Sequence, residues 1–378
     1  MRVLYATVYD PHDATEWSGL GNAIAGSLEQ AGVDVDYVGP LAGRRRLVDR
    51  TAAGLARLGP GSYLAGREPG LARAFARTVE REVRRRRPDA LVSPGTIPVA
   101  HVPPGVPLLI WADATFAAMV DYYPGWTGLS ALSRRQGNAL EKRALRRAER
   151  LVFASDWAAA SAIADYGADP RKVHVVPFGS NLPIEHGPDD VRRWLEGRPR
   201  DHCRLLLVGV DWERKGVDTA IGAAVALNEA GLRTTLTVAG ALPPSGLALP
   251  PCVQVKGPLP RGPALSVLYQ EAHFLVLPTR SEAFGVVFSE ASAFGVPSIA
   301  SNTGGVPSAV VDGRNGHLLP PGASSTDYAA AILELFTDAD TYRRLALATY
   351  REYDERLNWA TSGAHVRKLL EEVVDGAP

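Results

Sequence analysis

Residues 277–297, LPTRSEAFGVVFSEASAFGVP, read as the end of a buried strand, a tight turn and a helix that opens at a glycine. The apolar run His273 to Leu277 is short and stopped by Pro278, the pattern of a strand buried in a parallel sheet. Ser281 and Glu282 hold the positions of an N-cap and a first-turn acid, and Gly285 lets the backbone come close to a ligand. A helix starting there aims free amides, about half a positive charge, above the sheet, where phosphate is the natural guest. Two carboxylates, Glu282 and Glu290, flank those amides with seven residues between them. A mostly helical path sets them roughly 12 Å apart. That is close to the span from the sugar to the ribose of a nucleotide diphosphate sugar. The plainer reading is that Glu282 caps a helix and Glu290 lies on a solvated face.

Working outward, 378 residues suit two cores of roughly 170 to 190 residues better than one. The charges balance, 41 basic against 41 acidic, so no overall field draws the chain to nucleic acid or anionic lipid, and a small-molecule substrate fits better. Cys203 and Cys252 stand far apart with no C-x-x-C, which suggests neither a disulfide framework nor a cysteine zinc site and suits a reducing cytoplasm. The opening run MRVLYATVYD is too short for a signal peptide or a membrane span, and no long apolar run follows, so membrane contact is expected to be peripheral at most.

The words E-A-F-G-V-V-F-S-E-A from Glu282, A-x-G-V-P from Ala293 and T-G-G at Thr303 to Gly305 together resemble the signature of the retaining, GT-B-fold glycosyltransferases of family 4. A-x-R-L-V-F-A-S-D-W from Ala148 and K-V-x-V-V-P-F-G-S-N from Lys172 are similar to the same family. The likeness spans nearly the whole chain and is strongest from Arg204 to Leu319. It implies an α/β, GT-B architecture of two Rossmann-like, doubly wound parallel-sheet domains facing an interdomain cleft. The acceptor-side domain would be 1–185, completed by the C-terminal helix 359–378, and the nucleotide-sugar domain 186–358. Gly179 to Pro199, rich in Pro, Gly and charge, reads as the linker.

The resemblance also implies site roles. Lys215 would pair with the donor diphosphate, on a chain with only five lysines among its 41 basic residues; its plain alternative is a surface cation. The amides of Phe284, Gly285, Val286 and Val287 would face the same phosphates. Glu290 would hold ribose hydroxyls and Glu282 the donor sugar, with backbone at Gly209 and Gly257 lining the site and Gly304-Gly305 offering more phosphate-facing amides. The family's arginine after the first glycine is here Val210, with Arg214 or Arg280 to compensate. The usual cleft histidine is also replaced, its two candidate positions being Ala112 and Asp113. Asp113 then either serves donor hydroxyls or the acceptor as a base, or caps the next helix.

Earlier in the chain, Gly19 and Gly21 follow the first strand, either as a tight helix start or as backbone for phosphate or acceptor. Leu41 to Arg87 reads as helical and ends in four arginines before Pro88, a solvated face or a patch for anionic surfaces. The loop with Tyr122, Tyr123 and Trp126 is either an acceptor platform or a small satellite core. Ala131 to Arg147 reads as a helix with Leu132, Ala139, Leu140, Ala144 and Leu145 inward. His174 alternates with apolar neighbours and reads as a sheet residue rather than a ligand.

The expected activity is transfer of a sugar, with retention, from a nucleotide diphosphate sugar (UDP- or GDP-linked) to a small acceptor. No metal site and no cofactor are expected, since no D-x-D motif with strand flanks appears. An epimerase of the same fold, a sugar phosphorylase using pyridoxal phosphate, or an inactive nucleotide-sugar-binding protein are the alternatives. Oligomeric state is not legible.

Overall fold

The computed structural model describes residues 1–43, 51, 54 and 60–376. They divide into two compact units, Met1–Val176 with Trp359–Pro378, and Pro177–Asn358.

In the first unit, β1 (Arg2–Ala6), β2 (Asp34–Val38), β3 (Ala90–Ser93), β4 (Leu108–Ala112), β5 (Arg150–Phe153) and β6 (Val173–Val175) form one sheet in the order β2-β1-β3-β4-β5-β6. All its pairings are parallel. β3 and β4 are buried along their whole length, as strands covered on both faces must be. Around the sheet lie α1 (Leu20–Gln30), α2 (Pro69–Arg86), α3 (Phe116–Met119), α4 (Ala131–Arg147) and α5 (Asp156–Tyr166). Ser130 and Ser155 start α4 and α5 by accepting hydrogen bonds from the amides of Ser133 and Ala158. The C-terminal helix Trp359–Val374 completes this unit against α1. Gly363 makes that approach possible, because a Cβ there would stand 2.2 Å from the carbonyl oxygen of Ser27.

The second unit holds α6 (Pro188–Gly197), β7 (Cys203–Gly209), α7 (Val217–Glu229), β8 (Thr234–Gly240), β9 (Val253–Gly257), α8 (Pro263–Glu271), β10 (Phe274–Leu277), α9 (Val286–Ala293), β11 (Ser298–Ser301), α10 (Val306–Ala309), β12 (Gly316–Leu319), α11 (Ser325–Thr337) and α12 (Ala339–Glu355). Its sheet is also parallel, ordered β12-β11-β10-β7-β8-β9. The order reverses between β7 and β10 here, and between β1 and β3 in the first unit. In open α/β sheets such switch points open a crevice beyond the strands' carboxyl ends.

Three expectations change and one holds. The stretch read as a linker carries helix α6, and the division between the units falls before Pro177. The helical reading of Leu41 to Arg87 holds from Pro69 to Arg86; residues 60–68 form a loop, and most of 44–59 lies outside the described residues. The arginine run belongs to α2 as a solvated face whose charges are met. Arg84 pairs with Glu80 at 2.6 Å, Arg85 and Arg86 with Glu82, and Arg86 also with Asp36 at 3.1 Å. On α4, Leu132 and Ala139 are not on the buried face, which instead takes Ser133, Gly137 and Glu141 beside Leu140, Ala144 and Leu145. Phe116 presses so closely on Gly137 that a Cβ there would meet its ring at 2.1 Å.

Candidate active site

The decisive stretch forms as β10, a loop and α9. Gly285 is the N-cap of α9, at φ 85°, and a Cβ on it would meet the Phe288 ring at 2.6 Å. Only glycine satisfies both demands. Ser281 and Glu282 therefore lie in the loop before the helix, not at its cap and first turn, and the first turn of α9 carries no acid. The helix ends through Gly295, at φ 61°, before Pro297 is reached. Since the path from Glu282 to Val286 is not helical, the 12 Å span loses its premise.

Glu282 is held from both sides. Its carbonyl accepts the amide of Gly305 at 3.0 Å, so that amide of the second glycine loop is spent inside the protein rather than offered to phosphate. Its carboxylate accepts a hydrogen bond from Lys215 Nζ, and Arg214 Nη1 stands 3.5 Å from the same oxygen. Arg214 also donates to the Ser281 carbonyl at 2.9 Å. Lys215 and Glu282 are both buried, at 6% and 8% exposure. Arg280 faces elsewhere, donating to Asp218 at 2.8 Å and to the Glu213 carbonyl, so Arg214 is the second cation of this cluster. Glycines shape its bed. A Cβ on Gly209 would meet Lys215 Cγ at 2.7 Å, and one on Gly216, at φ 67°, would stand 2.1 Å from the Pro278 carbonyl oxygen. Arg214 also pairs with Asp211, its Nε 3.6 Å from Oδ2, so two cations and two carboxylates meet at the β7/β10 switch point.

Glu290 is not on a solvated face; it is 2% exposed. Tyr269 Oη donates to its Oε2 at 3.0 Å, and Arg261 Nε lies 3.6 Å from Oε1. Oε1 itself is buried without a hydrogen-bond partner among the described residues. Burial pushes this carboxyl above its ordinary range, while Arg261 and Tyr269 pull it back. Sequence reasoning missed both partners, since Tyr269 sits on α8 and Arg261 in the turn before it, where no local pattern marks them.

Phe284 is core, packed edge-on against Phe178 with ring centroids 5.5 Å apart, so only its backbone is available to a ligand. Val286 is buried and Val287 partly so. Gly257, at φ 65°, ends β9, where a Cβ would meet Leu242 Cδ2 at 3.4 Å, and Leu242 and Val210 are strongly exposed at 62% and 80%.

In the first unit, Gly19 caps α1 at φ 75°, preceded by Trp17 and Ser18 at φ 46° and 56°. Gly21 is roofed by Tyr9, whose hydroxyl oxygen would stand 2.3 Å from an added Cβ, so this pair serves the helix start and close packing. Asp113 caps no helix; Thr115 caps α3, accepting the Ala118 amide at 3.2 Å, and Asp113 instead accepts the Trp17 indole N–H at 3.2 Å. The aromatic loop is partly packed: Tyr122 against Trp157 at 5.0 Å and Tyr123 at 5.5 Å, and Trp126 against Phe116 at 5.5 Å. Among the described residues no group of three or more His, Cys, Asp or Glu is placed to hold a metal ion. No helix among them is long and apolar enough to cross a membrane.

Two parallel six-stranded sheets flanked by helices are the architecture of the GT-B fold. Solved structures agree over essentially the full length. Sucrose-phosphate synthase from Thermosynechococcus elongatus matches with a TM-score of 0.71 at 18% identity, covering 100% of both chains. Anabaena Alr3699/HepE in complex with UDP matches with 0.68 at 17%, covering 98% of this chain and 100% of that one. The profile described as "Glycosyl transferases group 1" matches residues 202–338, and "Glycosyltransferase Family 4" matches residues 22–182. The chain belongs to this family. Among curated relatives, the D-inositol 3-phosphate glycosyltransferase of Thermomonospora curvata is 34% identical over 249 residues, 59% of this chain and 56% of the relative. That of Kribbella flavida is 32% identical over 237 residues, 58% and 55%. The chain thus spans little more than half the length of the curated relatives it matches.

Proposed function

We propose that the protein transfers a sugar, with retention, from a nucleotide diphosphate sugar to a small phosphorylated acceptor. The observation that carries the reading is the cation cluster of Lys215 and Arg214 on buried Glu282, standing at one switch point with the α9 amides and with Glu290, whose Oε1 makes no hydrogen bond. The donor diphosphate lies against Lys215, Arg214 and the amides of Val286 and Val287, whose positive charge stabilises the phosphate oxygens as the bond to the sugar breaks. Glu290 accepts ribose hydroxyls through Oε1, which thereby gains the partners it lacks. Glu282, fixed by two cations and the Gly305 amide, accepts from the donor sugar. The leaving phosphate takes the acceptor's proton, so no separate general base is required.

UDP is the favoured donor nucleotide, supported by the UDP complex of the similar Anabaena protein. A phosphorylated acceptor is supported by the name shared by the curated relatives. The positive charge comes from side chains and amides, and transfer is expected to need no metal or cofactor. The two cysteines stand as free thiols, in keeping with a cytoplasmic location. Calorimetric titration with UDP, GDP and ADP, in wild type and Glu290→Ala, tests the donor site. One nucleotide binding at micromolar strength and losing affinity in the variant supports it; no binding by any of the three refutes it.

A further inference from the structure

The second unit holds a cavity that glycosyl transfer does not use. It measures about 320 Å³ and lies at the amino end of the sheet, beside Arg200 before β7, Leu232 before β8 and His273 before β10. The crevice of Lys215 and Glu290 is at the opposite, carboxyl end. The walls are apolar and aromatic. Leu195 of α6 and Leu232 stand with three rings packed on one another, His273, Phe336 and Tyr342, whose centroids are 5.1, 5.7 and 6.4 Å apart. These walls are fixed. His273 is buried, its Nδ1 accepts the Arg204 amide at 3.0 Å, its Nε2–H donates to the Pro199 carbonyl at 2.9 Å, and Tyr342 Oη donates to the His273 carbonyl at 3.3 Å. Burial, with Arg198 beside it, pushes the imidazole down to about 3, so this ring is neutral.

The charge in the lining is lopsided. Arg198 is 6% exposed and ties together the ends of α8 and α9. Its Nε donates to the Gln270 carbonyl at 3.2 Å, Nη2 to that of Phe294 at 3.1 Å, and Nη1 to that of Gly295 at 3.2 Å and to Tyr342 Oη at 2.8 Å. All four acceptors are neutral. The helix-end carbonyls offset part of the charge, but no carboxylate among the described residues pairs with this guanidinium. Arg343 is matched by Glu196 at 3.4 Å, and Asp338, between α11 and α12, is spent on the amides of Asp340 and Thr341. Arg200 stands exposed at the rim, so three arginines share one carboxylate around a set of rings. An anion that brings its own apolar surface suits such a place, because the rings exclude water and a charge-assisted pair strengthens as water leaves. The volume is of the order of the smallest ligand sites, about 300 Å³, enough for one ring or two fused rings.

We infer that this cavity is a binding site for a small aromatic carboxylate, its rings against Phe336 and Tyr342 and its charge toward Arg198 and Arg200. The site is separate from the donor crevice and does not depend on it.

Calorimetric titration of the full-length protein with 1-naphthoate at constant ionic strength and neutral pH tests this, with the uncharged 1-naphthalenemethanol as the control for charge. The expected result is saturable binding of 1-naphthoate, with the alcohol weaker by about tenfold or more. Leu232→Trp, which fills the cavity, should abolish binding. Arg200→Gln should weaken it by about two- to fivefold, and Glu196→Gln, which frees Arg343, should tighten it by a similar factor. Lys215→Met and saturating UDP should leave it unchanged. Absence of saturable binding to wild type, equal binding of the alcohol, or competition by UDP overturns the inference. Arg200→Gln and Glu196→Gln alter only exposed side chains, so they decide the matter if Leu232→Trp does not fold: wild-type affinity in both overturns it as well.

Discussion

Glu290→Gln should make the protein more stable and worse at its task. The carboxylate is buried, with one oxygen bonded to Tyr269 and the other 3.6 Å from Arg261 Nε and without a hydrogen bond. An unpaired buried polar group costs about 1–3 kcal/mol, and the amide that replaces it is uncharged and cheaper to bury. The melting temperature should rise by at least about 2–4 °C, the shift per kcal/mol for a domain of this size. The sign with pH follows from the carboxyl's raised value. The folded state holds the proton more tightly than the unfolded state, so the stabilising contribution is complete below the ordinary carboxylate range. It is lost as pH rises through the folded value. The glutamine variant loses nothing over that window, so its advantage should open with rising pH and level off by neutrality. Binding should move the other way. Losing a charge-assisted hydrogen bond to the ribose costs about 1.5–3 kcal/mol, or roughly 10- to 150-fold in UDP affinity. Thermal melts from mildly acidic to neutral pH, with calorimetry at neutral pH, measure both. A variant that melts below wild type at neutral pH, or binds UDP as wild type does, refutes the reasoning.

Three further outcomes follow from the same geometry. Gly216→Ala puts a side chain at φ 67° against the Pro278 carbonyl and should cost about 2–4 kcal/mol by denaturant unfolding, from left-handed strain and overpacking. Its kcat/KM should fall as well, because Lys215 is displaced. Lys215→Met keeps the buried stem and removes the charge, and should lower turnover by about 10²–10³ while Arg214 keeps Glu282 partly compensated and the fold intact; a change under threefold would show that Arg214 alone carries the phosphate. Turnover in excess EDTA should equal that in magnesium, and loss restored by added metal would place a cation at the diphosphate.

The fold and the core of the candidate site were legible because both are written locally. A glycine forced to positive φ before a helix, and short apolar runs stopped by Pro or Gly, declare strand and helix start without reference to distant residues. Lys215 was read from the family resemblance, on a chain with only five lysines, and the structure buries it against Glu282, where a Cβ on Gly209 would meet its Cγ at 2.7 Å. What stayed hidden depends on contacts made across sequence. Nothing near Glu290 announces Tyr269 or Arg261, and α4 reads as an ordinary amphipathic helix until Thr96 and the Phe116 amide turn Glu141 inward. Asp113 divided evenly between cap and ligand because Thr115, two residues on, is an equally good cap, and the structure gives the cap to Thr115.

The central claim is glycosyl transfer from the site at the β7/β10 switch point. Its most direct test is proton NMR of the wild-type protein and Lys215→Met with UDP-glucose and an inositol phosphate. The account predicts UDP release, a new anomeric signal of the same configuration as the donor, and loss of both in the variant. UDP-glucose that binds but stays intact across a panel of phosphorylated acceptors, or a product of inverted configuration, would contradict it.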